Sequence, residues 1–253
     1  MLLWDKRCDS VKTFIILENT HRRPLPEQFH GADDRYPETV AEYFINQYTH
    51  KGDKVLDVFA GLGTTIFVAE EMGRIPYGVE LKRDRYEYIK SEVYHKENIV
   101  HGDARQLERF DFPLMDFAIS SPPYMHALDI DDYALTAYTT SGTYAQYLRE
   151  MQEIFTKVKN ILKPNAYVVL EVANIKRKGE EITTLAWDVA QSLKKIFHFE
   201  GEVILGWTVE NTDVKETGEK GEKGENGTYG YGYDHSYGLV FRKKGAYNTS
   251  FKN

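Results

Sequence analysis

The strongest constraint on the fold is a regular alternation of short apolar, strand-like segments with amphipathic helical patterns. The strand-like segments span residues 54–59, 75–80, 98–103, 115–120, 165–173, 202–209 and 237–243. The main helical patterns between them span residues 64–72, 83–93, 143–162 and 183–197. Such alternation is typical of a mostly parallel sheet covered by helices on both faces. We therefore predict an α/β, Rossmann-like fold with a seven-stranded, mostly parallel sheet.

The last two strands differ from the others because no helical pattern separates them. They are predicted to form an antiparallel hairpin at one edge of the sheet. Their connection, residues 210–236, contains the low-complexity segment GEKGEKGEN, which cannot bury a core. Residues 1–29 show no convincing period and are predicted to be an arm that lies on a single domain, residues 30–253.

Composition excludes several classes of protein. No apolar stretch approaches the ~18 residues of a membrane-spanning helix, and the start MLLWDKR is too short for a secretory signal, so we expect a cytoplasmic protein without a membrane partner. A single cysteine, Cys8, excludes an internal disulfide and a cysteine-based zinc site, and we expect no metal. The net charge of −7 argues against bulk attraction to nucleic acid but permits a local basic groove.

Two short basic clusters are candidates for such a groove. Each could contact phosphate or could be a solvated face. The clusters consist of Lys82, Arg83 and Arg85, and of Lys176, Arg177 and Lys178.

A glycine loop, D-V-F-A-G-L-G-T-T, occupies residues 57–65, where the first strand turns into a helix. Glycines there let the backbone approach a ligand, and the helix N-terminus offers free N–H groups. Ile66 stands where a third glycine would complete the dinucleotide-binding pattern G-x-G-x-x-G, and no lysine follows the glycines as in a phosphate loop. The loop therefore indicates a different ligand.

Three carboxylates, Asp57, Glu80 and Asp103, end the first three strands. The carboxyl ends of parallel strands share one edge, where ligands bind, and Glu80 follows Asp57 near the ~20-residue offset of an acid that binds a ribose. Asp57 would repel a pyrophosphate but could pair with an amine. This combination suits S-adenosylmethionine, a sulfonium that carries an amino acid and a ribose. The alternative is that the acids cap helices or face water.

A second motif, S-P-P-Y, occupies residues 121–124 after the fourth strand. Together, D-x-F-x-G-x-G-T-T and S-P-P-Y resemble the signature pair of the S-adenosylmethionine-dependent amino-methyltransferases, and S-P-P-Y is similar to their cytosine-N4 branch. His30 with R-Y-P-E at 35–38 resembles the family's H-x-x-x-x-K-F/Y-P-E element, and residues 234–243 resemble its final strand. The resemblance spans about residues 30–244.

The resemblance implies a cofactor site for S-adenosylmethionine and a catalytic corner. The implied cofactor-binding residues are Arg35, Tyr36, Pro37, Asp57, Phe59, Gly61, Gly63, Thr64, Thr65, Glu80, Asp103 and Ser120. The implied catalytic residues are Ser121, Pro122, Pro123 and Tyr124.

The chemistry of a planar amine explains the corner. Its nitrogen must become tetrahedral to attack a methyl group, and acceptors for its two hydrogens favour that state. Ser121 offers a hydroxyl oxygen and Pro122 a carbonyl, and the two prolines hold the chain rigid. Tyr124 would stack on a base turned out of its helix.

The substrate stays open at this stage. The motif favours DNA slightly, whereas only residues 125–142 and 210–236 offer room for reading a sequence, which favours a folded RNA recognised by shape. The glycine loop precedes the corner here, although many S-P-P-Y enzymes carry the reverse order. Methylation of adenine N6, guanine N2 or a glutamine side chain is a further alternative, as is a binding module without catalysis.

Overall fold

The computed structural model describes residues 12–32, 34–127, 142–177, 179–208 and 234–244. The strands are β1 Phe14–Glu18, β2 Lys54–Asp57, β3 Ile75–Glu80, β4 Ile99–His101, β5 Met115–Ser120, β6 Leu162–Val172, β7 His198–Thr208 and β8 His235–Arg242. The α-helices are α1 Glu38–Tyr48, α2 Thr64–Glu71, α3 Arg83–Glu92, α4 Tyr144–Ile161 and α5 Leu185–Leu193. The two segments with room for reading a sequence, 125–142 and 210–236, lie mostly outside the described residues, as does Lys178 of the second basic cluster.

One sheet of eight strands forms the centre of the fold, in the order β1-β7-β8-β6-β5-β2-β3-β4. Strands β2 to β6 pair in parallel, and β8 lies antiparallel between β6 and β7. The predicted α/β class is confirmed, and the sheet has eight strands rather than seven. The antiparallel hairpin of β7 and β8 is present but does not form the edge, because β1 pairs in parallel with β7 beyond it.

Strand β1 and helix α1 are the elements that sequence reasoning did not predict. Strand β1, FIILE, lies within the segment predicted to be an arm and satisfies the backbone groups along the outer side of β7. Helix α1 buries Val40, Ala41, Phe44 and Ile45, which recur at helical spacing. That spacing was a usable signal for α1, whereas five residues were too few to identify β1.

Helices cover both faces of the sheet. In β6, Val168 and Leu170 belong to the apolar cluster that includes α4 and α5, whereas the intervening Val169 belongs to the cluster that includes α1. This alternation follows from the two-residue period of a strand. A sheet buried on both faces leaves its carboxyl-end edge as the open place for a ligand.

That edge has a switch in strand order at β2. The chain passes from β2 to β3 on one side, and β5 pairs with β2 on the other. Open α/β sheets bind ligands at such a switch. The ends of β2, β3 and β5 bring Asp57, Glu80 and Ser120 to this edge. Within the described ranges, no helix combines the length and the apolar character needed to cross a bilayer.

Candidate functional site

A cavity of about 520 Å³ lies at the carboxyl edge of the sheet. Its volume is in the range of small-molecule sites. The predicted site residues that line it are Arg35, Tyr36, Asp57, Phe59, Gly61, Thr64, Thr65, Glu80, Ser121, Pro122, Pro123 and Tyr124. Four predicted residues lie outside its lining: Pro37, Gly63, Asp103 and Ser120. The structure therefore brings the glycine loop and the S-P-P-Y corner to one cavity.

The glycine loop depends on two residues with left-handed backbone conformations. Gly61 has φ +56° and Gly63 has φ +89°. Gly63 precedes α2, and a Cβ added there would lie 2.6 Å from the Phe67 ring. Glycine at 63 is therefore required both by the conformation and by close packing.

Gly63→Ala is expected to lower the free energy of unfolding by about 2–4 kcal/mol, because it combines left-handed strain with overpacking against Phe67. We also expect the displaced loop to weaken S-adenosylmethionine binding about tenfold or more. Urea unfolding and calorimetric titration measure the two effects. Gly52→Ala is the matched control, since Gly52 has φ +83° and no atom within 4 Å of the added Cβ. Equal effects of the two substitutions would contradict the packing argument.

Asp57 joins the ends of β2 and β5 to the start of α2. Its buried carboxylate accepts hydrogen bonds from the Thr65 hydroxyl at 2.6 Å, the Ser120 hydroxyl at 2.7 Å and the Phe59 N–H at 3.0 Å. Burial raises the pKa of Asp57, and these hydrogen bonds oppose that shift. The Tyr36 hydroxyl contacts Thr65 in turn. Ser120 thus supports the site from behind the cavity lining.

Glu80 organises the other side of the glycine loop. Its Oε2 accepts a hydrogen bond from Gly61 N at 2.7 Å, and its Oε1 accepts one from Lys82 N at 2.8 Å. Burial raises the pKa of Glu80, while these two backbone donors lower it. Each oxygen retains a second lone pair, so the carboxylate can still accept a hydrogen bond from a ribose hydroxyl.

Glu38 and Arg35 connect the R-Y-P-E segment at 35–38 to residues 21–23. The Glu38 carboxylate accepts hydrogen bonds from the backbone N–H groups of Arg22 at 3.4 Å and Arg23 at 3.3 Å, and it lies 3.4 Å from His21 Nδ1. Burial favours the neutral acid, but the hydrogen bonds from His21 and the backbone outweigh it and hold the pKa of Glu38 at about 2. Arg35 Nη1 donates to the Arg23 carbonyl at 3.1 Å. These contacts fix the segment that lines the cavity.

Pro37 and Asp103 occupy structural positions outside the cavity lining. Pro37 is the N-cap residue of α1, with φ −61°. Asp103 accepts a hydrogen bond from Arg105 N at 2.8 Å and pairs with the Arg105 guanidinium at 2.7 Å. This arrangement is the helix-capping alternative for an acid at a strand end.

The corner contacts a carboxylate that sequence reasoning missed. Ser121 Oγ donates a hydrogen bond to Glu171 Oε2 at 2.9 Å. Glu171 lies in β6 with no exposed surface, and its Oε1 has no hydrogen-bond partner within the described part of the chain. Burial raises the pKa of Glu171 to about 7, while the hydroxyls of Ser236, Ser121 and Tyr124 act in the opposite direction. The sequence feature that could have identified Glu171 is its position as the single acidic residue in the apolar segment AYVVLEVA.

Tyr124 is held by the residue that follows the same strand. Its hydroxyl oxygen accepts a hydrogen bond from Ala173 N at 2.6 Å, and the side chain is buried although it lines the cavity. The hydroxyl is thereby fixed in place, and with it the position of the ring.

Comparison with known proteins agrees with the glycine loop and the strands around it. Residues 10–91 match the family model described as a DNA methylase of the N6/N4 type. This part of the chain is therefore similar to the methylase family. The matched segment contains Asp57, the glycine loop and Glu80. S-adenosylmethionine is the cofactor that this similarity supports, and the two carboxylates beside the loop fit a positively charged ligand with ribose hydroxyls.

Two curated relatives share parts of the methylase segment. The chain is 40% identical over 50 residues to the type II methyltransferase M.BglII of Bacillus subtilis, and 41% identical over 58 residues to the type II methyltransferase M.MthZI of Methanothermobacter thermautotrophicus. The alignments cover 20% and 23% of this chain, and 14% and 16% of the relatives. The chain thus matches less than a fifth of the length of either relative.

The fold is similar to that of a solved structure, TrmN from Thermus thermophilus. The TM-score is 0.55 at 17% identity, over 84% of this chain and 50% of the other. At this identity the similarity concerns the fold alone.

Proposed function

We propose that this methylase transfers the methyl group of S-adenosylmethionine to the exocyclic N4 amine of cytosine in nucleic acid, with DNA as the favoured substrate. The observation that carries the proposal is the hydrogen bond from Ser121 to Glu171, at the cavity that also contains the cofactor loop. A serine corner with a buried carboxylate behind it supplies an acceptor for an amine hydrogen and a destination for its proton.

Two buried carboxylates, Asp57 and Glu80, line the cofactor side of the cavity. The cofactor supplies an electrophilic methyl group on a positively charged sulfur. Asp57 attracts positive charge to the start of α2, and Glu80 accepts hydrogen bonds from ribose hydroxyls through its remaining lone pairs. Both carboxylates are held by protein donors before any ligand arrives, so little reorganisation accompanies binding.

The corner activates the amine by orienting acceptors toward it. Because the Ser121 proton points to Glu171, the lone pairs of its oxygen are available to an amine hydrogen. The Pro122 carbonyl is proposed as the second acceptor. The lone pair of the amine then leaves the plane of the ring and faces the methyl group. Rigid prolines keep the acceptors in place without a loss of entropy at the moment of reaction.

The proton leaves along the same hydrogen bond. Methylation would leave the nitrogen positively charged and its N–H acidic, with the rest of the cofactor departing as a neutral thioether. Ser121 Oγ accepts that proton while its own proton passes to Glu171 Oε2. A carboxylate whose pKa is raised to about 7 is a suitable acceptor near neutral pH.

The base is proposed to stack on Tyr124. Turning a base out of its helix requires a few kcal/mol. Stacking on an aromatic ring returns ~1–3 kcal/mol. The hydrogen bond from Ala173 N to the Tyr124 hydroxyl holds the ring ready for that contact.

Methyl-labelled S-adenosylmethionine tests the proposal directly. The purified protein is incubated with duplex DNA, total RNA and small ribosomal subunits, and the nucleosides of each digest are identified by mass spectrometry. We expect N4-methylcytosine in DNA. N4-methylcytidine in RNA alone would reassign the substrate to RNA, and N6-methyladenine or N2-methylguanine would reassign the amine. Absence of label from every nucleic acid would refute the proposal.

Ser121→Ala is expected to lower kcat about 100-fold or more, because it removes the acceptor and interrupts the proton path. The Kd for S-adenosylmethionine is expected to stay within about twofold of the wild-type value. Single-turnover methyl transfer and calorimetry measure the two quantities. Ser91→Ala, at an exposed hydroxyl on α3, is the matched control. Wild-type turnover in the Ser121 variant would rule out the proposed role of the hydroxyl.

A further inference from the structure

A short hairpin beyond β6 contributes residues to the cavity that the proposed chemistry does not use. Ile175 and Thr183 form an antiparallel bridge through two backbone hydrogen bonds of 3.0 Å, and both residues are buried. Glu180 N donates to the Arg177 carbonyl at 3.2 Å across the turn, where Gly179 has φ +82°. Residues 175–183, described except at position 178, are named the β6 hairpin below.

The β6 hairpin is attached to the S-P-P-Y corner. The Thr183 hydroxyl oxygen accepts a hydrogen bond from Ala127 N at 2.9 Å, and Ala173, just before the hairpin, donates to the Tyr124 hydroxyl. Ile175 packs in the large apolar core. The position of the hairpin relative to the proposed base site is therefore fixed by hydrogen bonds and by packing.

Lys176 and Arg177 of this hairpin are exposed and line the same cavity as Ser121. Lys176 forms no hydrogen bond or ion pair with the described residues, and the exposed guanidinium of Arg177 lies 3.9 Å from the Glu180 carboxylate. Glu180 also lies 3.5 Å from the buried His126, another lining residue. Both cations are thus placed beside the corner and are accessible to an anion.

The other lysine and arginine residues of the lining, Arg35, Lys82 and Arg85, belong to the cofactor side. Arg85 pairs with Asp34 at 3.2 Å. Lys82 donates its backbone N–H to the Glu80 carboxylate, and the Lys82 side chain is exposed. A phosphate would be repelled by Asp57 and Glu80 on this side. An anion that enters the cavity is therefore favoured at the β6 hairpin.

We propose that Lys176 and Arg177 bind a backbone phosphate of the nucleic-acid strand whose base occupies the corner. This inference rests on the proposed function and adds the contact that places the strand. A nucleotide turned out of its stack remains attached to its flanking phosphates. The chain has a net charge of −7, so attraction to nucleic acid has to come from local cations.

The double variant Lys176→Gln with Arg177→Gln tests the phosphate site. The probes are a fluorescent, cytosine-containing single-stranded oligodeoxynucleotide and its RNA counterpart, titrated at several salt concentrations. Loss of up to two phosphate contacts is expected to flatten the slope of log K against log salt by about 0.7–1.4, since each contact on a single strand contributes about 0.7. The KM for the nucleic-acid substrate is expected to rise about tenfold, while the Kd for S-adenosylmethionine stays unchanged.

The control variant is Lys194→Gln with Lys195→Gln, which removes the same charge from exposed positions at the end of α5. A salt slope and a KM equal to those of this control would overturn the phosphate site, and the proposed methylation would stand if wild-type turnover persisted. A wild-type protein that binds neither probe and labels no nucleic acid would overturn the proposed function and the phosphate site together.

Discussion

Glu171→Gln is expected to lower kcat about 100-fold or more, because an amide cannot accept the proton that Ser121 passes on. The wild-type rate is expected to rise with pH through about 7, the pKa to which burial raises this carboxyl, as the ionised acceptor becomes populated. The variant should lack this rise. Single-turnover rates between pH 5.5 and 8.5, with roughly unit spacing, measure both effects.

The same substitution is expected to change how stability depends on pH. The pKa of Glu171 rises from the usual 4.5 to about 7 on folding, so between these values the folded state binds more protons than the unfolded state. Its contribution to stability is therefore lost as pH rises through this window. At about 1.4 kcal/mol per pKa unit, the loss approaches about 3 kcal/mol above pH 7.

Urea unfolding of wild type and of the Glu171→Gln variant at pH 5 and pH 8 isolates the contribution of this carboxyl to stability. Relative to wild type, the free energy of unfolding of the variant should increase by up to about 3 kcal/mol as pH rises, because only wild type loses the stabilisation from Glu171. Other titrating carboxyls, such as Asp57, cancel in the difference. Glu200→Gln, at an exposed position in β7, is expected to change neither rate nor stability. A pH-independent difference together with wild-type turnover would refute the proton-acceptor role.

Asp57→Ala is expected to weaken S-adenosylmethionine binding about 100-fold or more and to lower the melting temperature by several degrees. The substitution removes the acceptor shared by Thr65, Ser120 and Phe59 N. Each buried donor left without a partner destabilises the fold by about 1–3 kcal/mol. Calorimetric titration and thermal unfolding measure the two losses.

Asp57→Asn separates the charge from the shape of the side chain. The asparagine keeps the volume and one acceptor oxygen, so we expect part of the stability to return while cofactor binding stays weak. Asp111→Asn, at an exposed position, is the charge-matched control. Wild-type affinity in the Asp57→Asn variant would show that the negative charge of Asp57 does not contribute to binding the cofactor.

The two motifs could be found from the sequence because each is local. The glycine loop needs left-handed residues at a strand-to-helix turn, and Gly61 and Gly63 have that conformation. The corner needs a rigid segment at a strand end, which S-P-P-Y after β5 provides. The order of strands and helices also predicted the parallel sheet and hence the edge at which Asp57 and Glu80 meet.

Only the tertiary structure decided which distant residues support these motifs. Glu171 lies 50 positions after Ser121 and reaches it because β5 pairs with β6 in a register that places Ser120 beside Leu170. Strand β1 joins the edge because β7 offers open backbone groups there. Local patterns carry conformational preference, whereas contacts across a sheet depend on strand order and register, which is why the proton acceptor and the β6 hairpin became visible only in the folded chain.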